Sequence, residues 1–103
     1  MVATPIGTDT ILRRNEKIIA TNLDQEVVMM HIDRGSYFGL DPVGSDIWHF
    51  ADEPKTVGDI CDYLMSRYAV ERALCEKEVR QFLTTMVDNE LFHVQAPGNR
   101  ESI

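Results

Sequence analysis

The sequence predicts an α+β domain with a winged helix-turn-helix-like outline, a three-stranded antiparallel sheet followed by three helices. Three observations point to it. Between Lys17 and Leu40, short apolar-rich runs alternate with compact turn signals, as in a β meander. From Asp41 onward the apolar spacing becomes helical and stays so almost to the end. The length of 103 residues suits one domain, and a lone meander needs a helical layer to cover its apolar face.

Residues 1–9 are flavoured by Gly, Pro and Thr and are expected to form a flexible arm. The folded domain is expected over 10–95, with a flexible tail, APGNRESI, over 96–103. Thr10-Ile11-Leu12 is β-prone and adds an extended piece ahead of the meander. Lys17–Leu23 reads as the first strand and Asp24-Gln25 as a turn. Val27–Ile32 reads as the second strand, and Asp33-Arg34-Gly35 as a turn in which Gly35 is free to take positive φ. Ser36–Leu40 follows as the third strand.

Asp41-Pro42 is a helix start, an Asp cap followed by Pro at the first helical position. That helix places Val43, Ile47, Trp48 and Ala51 on one side and stops near Asp52-Glu53-Pro54. Thr56-Val57-Gly58-Asp59 resembles a capping box, with Asp59 in place of the usual Glu or Gln. Val57, Ile60, Cys61, Leu64, Met65 and Tyr68 then form one helical face. A third helix is expected from about Arg72 to Asp88, with Leu74 or Cys75, Val79, Phe82, Leu83, Met86 and Val87 as its apolar set. Asn89 is expected to end it in the left-handed conformation. Leu91–Val94 is a short extended close.

Ten basic residues against 17 acidic ones give a net charge of −7. Nucleic-acid affinity rests on Lys and Arg neutralising phosphates, so this balance disfavours such a partner. The only adjacent basic pair, Arg13-Arg14, is too small to reverse it. Cys61 and Cys75 lack metal-type spacing and read as reduced, buried thiols on helix faces, with one disulfide as the alternative. Met1–Gly7 lacks the charge and apolar stretch of a signal peptide, and no apolar run nears the ~20 residues that cross a bilayer. A cytoplasmic protein without membrane partners is expected.

No catalytic constellation emerges. His31, His49 and His93 fall in separate elements and read as surface or boundary residues, with no His or Cys at ligand spacing. Asp52-Glu53 and Glu76-Lys77-Glu78 read as caps and solvated faces. Gly35, Gly39 and Gly44 are not followed by the Lys-Ser/Thr of a phosphate loop. No catalytic residue, metal ligand or cofactor is expected, and the chain reads as a binding protein and not an enzyme.

The stretch Tyr37-Phe38-Gly39-Leu40-Asp41-Pro42-Val43-Gly44-Ser45-Asp46-Ile47-Trp48 is a strand running into a capped helix, with small Gly44 where helix and sheet can approach. It closely resembles the signature of the PqqD-like family, the leader-peptide recognition domains of ribosomal-peptide biosynthesis. Agreement extends over roughly residues 16 to 94. Thr56–Ile60 resembles that family's second-helix opening, and Phe82-Leu83 through Met86, with Asn89–Phe92, its closing helix and exit. Asn89-Glu90 stands where a glycine is expected, a departure confined to the local cap. Asp41 stands where Asn is common, and either caps a helix.

The resemblance implies a fold that binds the leader of a precursor peptide. The leader adds as a strand beside the third strand, and its side chains enter a groove against the third helix. Here the edge would comprise Ser36, Tyr37, Phe38, Gly39 and Leu40, and the groove wall Val79, Arg80, Leu83 and Met86. For Val79, Leu83 and Met86 the competing reading is ordinary core; for Arg80 it is plain solvent exposure. Tyr37 and Phe38 face opposite sides of the sheet, so one of them is core. The strand-helix stretch looks most like the stand-alone leader-binding proteins of lasso-peptide pathways. Those deliver precursor to a separate leader peptidase and a cyclase. Two alternatives share the outline: a peptide chaperone for a radical-SAM enzyme, and a winged-helix DNA-binding protein. An enzyme using Cys61 or Cys75 is a third.

Overall fold

The computed structural model describes residues 6–95. Its first strand, β1, spans Ile11–Arg14. The meander follows as β2 (Ile18–Leu23), β3 (Glu26–His31) and β4 (Tyr37–Leu40), paired antiparallel in the order β2-β3-β4. Two tight connections set its register. Asp24-Gln25 joins β2 to β3 as a two-residue hairpin loop with Asp24 at φ 57°, and Gly35 takes φ 67° before β4.

Helix α1 (Pro42–Phe50) starts as its cap chemistry requires, with the Asp41 carboxylate accepting from the Gly44 amide at 2.8 Å and Pro42 at the first position. The two-residue strand β5 (Lys55–Thr56) leads into α2 (Val57–Arg67). Thr56 and Asp59 form the reciprocal capping box, at 3.0 and 3.1 Å. Helix α3 runs over Arg72–Asp88, and β6 (Phe92–Gln95) closes the described chain.

A second sheet accompanies the expected one. Strand β1 sits between β5 and β6, both antiparallel to it, with Ile11 opposite Gln95 and Arg14 opposite Phe92. The extended piece at each end of the domain is thus paired with the other. Of the arm expected over 1–9, residues 1–5 lie outside the described residues. The Thr8 carbonyl accepts from Gly58 N at 3.0 Å. The tail over 96–103 lies wholly outside them.

The core lies between the meander and the helices. Val27 and Met29 on β3 belong to one buried cluster with Leu40, the α1 residues Ile47 and Trp48, the α3 residues Val79 and Leu83, and Leu12 and Phe92 of the second sheet. Trp48 packs edge-on against Phe92, ring centroids 5.5 Å apart, which ties α1 to β6. The Arg14 guanidinium lies 4.4 Å from the centre of the Trp48 ring and donates to the Trp48 carbonyl. Half of the only basic pair is therefore engaged internally.

Four expectations need correction. Val43 is exposed, because α1 turns Gly44, Ser45, Ile47 and Trp48 inward instead. Gly44 approaches not the sheet but α3: a Cβ there would meet the Phe82 ring at 3.2 Å. His31 is buried, its Nδ1 accepting from Arg34 N and its Nε2 lying 3.5 Å from the Glu90 carboxylate. The left-handed residue after α3 is Glu90 (φ 62°) and not Asn89 (φ −94°). Leu91 N bonds Met86 O and Glu90 N bonds Val87 O, a Schellman cap in which Glu90 fills the usual glycine position.

Candidate functional site

Strand β4 is an edge of the meander, and register determines which of its backbone groups are free. Met29 lies opposite Phe38 and Met30 opposite Tyr37, while His31 N donates to Ser36 O at 3.0 Å. In an antiparallel pair the bonded positions alternate. Ser36 and Phe38 therefore turn their groups toward β3, whereas Tyr37 and Gly39 turn theirs outward. No turn, loop or side-chain hydrogen bond among the described residues reaches the outward amides. Gly39 shares the outer face with Tyr37, and a Cβ there would meet nothing within 4 Å.

The same alternation settles Tyr37 and Phe38. Phe38 packs half-buried against the core, and Tyr37 is 72% exposed on the outer face.

Where β4 ends, an apolar groove of about 400 Å³ opens between the helices. Helix α1 lines it with Val43, Gly44 and Ile47. The end of α2 and the link to α3 add Leu64, Tyr68 and Val70, and α3 contributes Cys75, Val79 and Phe82. Among the described residues, Asp41 and Glu78 are its only charged lining residues, both acidic. The Tyr68 hydroxyl donates to the Asp46 carboxylate, which holds the phenol above its ordinary pKa. Asp46 also pairs with Arg67 at 3.6 Å.

One hydroxyl joins the edge strand to the groove. Ser45, buried on α1, donates to Leu40 O at 3.2 Å and accepts from Val27 N at 2.9 Å. It thereby fixes the end of the β3–β4 ladder to the helix that borders the groove.

The nine residues singled out by sequence divide into four groups. Tyr37 and Gly39 present the free edge, Ser36 precedes it, and the Phe38 side chain faces inward. The Leu40 side chain is core. On α3, Val79 lines the groove, while Leu83 (0% exposed) and Met86 (3%) lie in the core behind it. Arg80 pairs with Glu76 at 3.8 Å and borders a different, shallow depression with Lys77 and Thr84. The α3 residues facing the groove are Cys75, Glu78, Val79 and Phe82, an i, i+3, i+4, i+7 set. That spacing is visible in the sequence, but nothing local separates it from the stripe through Leu83 and Met86.

The thiols of Cys61 and Cys75 are free and buried. Burial, and next the neighbouring Cys75 thiol, push Cys61 up to about 12. Among the described residues no three His, Cys, Asp or Glu side chains gather as metal ligands. No described helix is long and apolar enough to cross a membrane.

Residues 26–91, from β3 through the α3 cap, match the family model of coenzyme PQQ synthesis protein D (PqqD). Two solved structures share the fold. TbiB1 in complex with the TbiA(beta) leader peptide is 36% identical, with a TM-score of 0.77 over 82% of this chain and 98% of that one. Lasso peptide synthetase B1 complexed with the leader peptide is 22% identical, with a TM-score of 0.71 over 80% and 96%. None of the curated protein sequences matches. A family model spanning more than half the chain, and a relative superposing along most of its length, establish that this chain belongs to the PqqD family.

Proposed function

We propose that this protein binds, without catalysing any reaction itself, the leader segment of a ribosomally made precursor peptide. The leader adds as a strand along β4 and places side chains in the groove between α1 and α3. It is then presented to a separate leader peptidase and cyclase of lasso-peptide type, in the cytoplasm. The observation that carries this reading is the free β4 edge, with Tyr37 and Gly39 backbone groups outward, running directly into an apolar groove. Main-chain hydrogen bonds would supply affinity and the groove selectivity. The relative solved with a leader peptide supports the assignment.

Duplex binding through α3 fits the charges poorly. Arg72 is held by Glu76 and Asp62, which raise its pKa further, and Arg80 also pairs with Glu76. Glu71, Glu78 and Asp88 stand along the same segment.

The test is fluorescence anisotropy of a labelled leader from the precursor encoded beside this chain, with a labelled DNA duplex as control. Saturable binding of the leader alone is expected. Binding of the duplex alone, steeply weakened by salt, would replace this reading with the winged-helix one.

A further inference from the structure

We infer that the groove selects a leader segment in which an apolar side chain and a lysine or arginine stand two residues apart. This rests on the leader-binding reading above and adds the chemistry of the ligand. The walls are apolar, with Ile47, Leu64, Val79 and Phe82 among them, and Asp41 and Glu78 are the only charges among the described residues. Neighbouring carboxylates are already compensated: Asp46 by Arg67, and Asp62 and Glu76 by Arg72. Among the described residues, Asp41 and Glu78 enter no ion pair and no Lys or Arg lines the groove. Asp41 spends Oδ1 on the Gly44 amide, which leaves Oδ2 for a ligand.

Alternation supplies the spacing. Residues i and i+2 of an added strand face the same side, so an apolar residue seated against α3 brings its second neighbour to the same face. A Lys or Arg there lays its methylenes along the apolar wall while its charged head reaches the rim. The ligand also displaces water from the groove, which strengthens the attraction to both carboxylates. An acidic residue at that position meets two like charges and is rejected.

The experiment is selection of a phage-displayed random peptide library on the full-length protein and on Glu78→Gln, Glu78→Lys and Asp41→Asn. Asn preserves the α1 cap, and thermal melts verify each fold. The wild-type pool is expected to enrich Lys or Arg two positions from an apolar residue. That preference weakens in Glu78→Gln and Asp41→Asn and disappears in Glu78→Lys. The affinity of a selected basic peptide falls roughly three- to tenfold in Glu78→Lys, most at low salt. A wild-type pool with apolar anchors and no basic enrichment overturns the inference while leader binding stands. So does a basic preference that persists in folded Glu78→Lys. Failure of the wild type to select any peptide overturns both.

Discussion

Gly39→Pro isolates strand addition from folding. The Gly39 amide points away from β3, so proline removes no bond of the existing ladder. Gly39 has no positive φ, and the sheet face at its Cβ position is open. Proline is tolerated on an edge strand whose N–H faces outward, so the fold should survive the substitution. Binding should not survive unchanged. The carbonyl of an added strand would lose its donor while held out of water, at a cost of ~1–3 kcal/mol. At about 1.4 kcal/mol per decade, that weakens leader binding roughly fivefold to a hundredfold. The pyrrolidine ring, standing where the new strand approaches, adds to the loss. Gly39→Ala retains the amide and serves as the control, with affinity near wild type. Circular dichroism and a thermal melt verify both folds, and anisotropy with labelled leader reads affinity. A folded Gly39→Pro that binds leader as tightly as wild type would refute addition at this edge.

Three further outcomes test the framework around the site. Ser45→Ala leaves the buried Val27 amide without its acceptor and should cost ~1–3 kcal/mol in denaturant unfolding; a cost near zero would remove Ser45 as the link between ladder and helix. In mildly alkaline buffer Cys61 should resist a thiol reagent until the chain is unfolded, because the fold favours its neutral form. The sign follows for stability: this contribution is complete below the ordinary value of 9.0 and lost as pH rises toward about 12, measurable as a falling denaturation midpoint. Rapid labelling of Cys61 in the native protein would contradict its burial.

Much of the fold was legible where the information is local. Asp41-Pro42, the Thr56–Asp59 box and the turns at Asp24-Gln25 and Gly35 each carry their own backbone chemistry, and each stands where the sequence places it. Long-range pairing carried no such signal. Nothing near Ile11 announces that it will lie opposite Gln95, so the second sheet was visible only as two unassigned extended pieces. The α3 exit departs from local propensity for a related reason. Asn89 is the better left-handed residue by propensity, but the Schellman bonds place Glu90 at that position, and its carboxylate lies against His31 and Arg34.

The candidate site was half legible. Period-two alternation makes Tyr37 and Phe38 face opposite ways, and only the packing decides that Phe38 is inside. On α3 the buried and groove-facing stripes overlap at Cys75 and Val79, so Leu83 and Met86 were indistinguishable from Phe82 by spacing alone. The groove is made by α1 and α2 as much as by α3. Val43 and Tyr68 looked like core in their own helices and are instead partly exposed at its margin.

The most direct test of the central claim is residue-resolved amide hydrogen exchange with and without the leader. Tyr37 and Gly39 amides, outward and unbonded in the free protein, should exchange fast alone and slow sharply when a strand pairs with β4. Phe38, already bonded to β3, should change little. Protection confined to the opposite edge, Ile18–Leu23, or absent from Tyr37 and Gly39 while leader is bound, would contradict strand addition at β4.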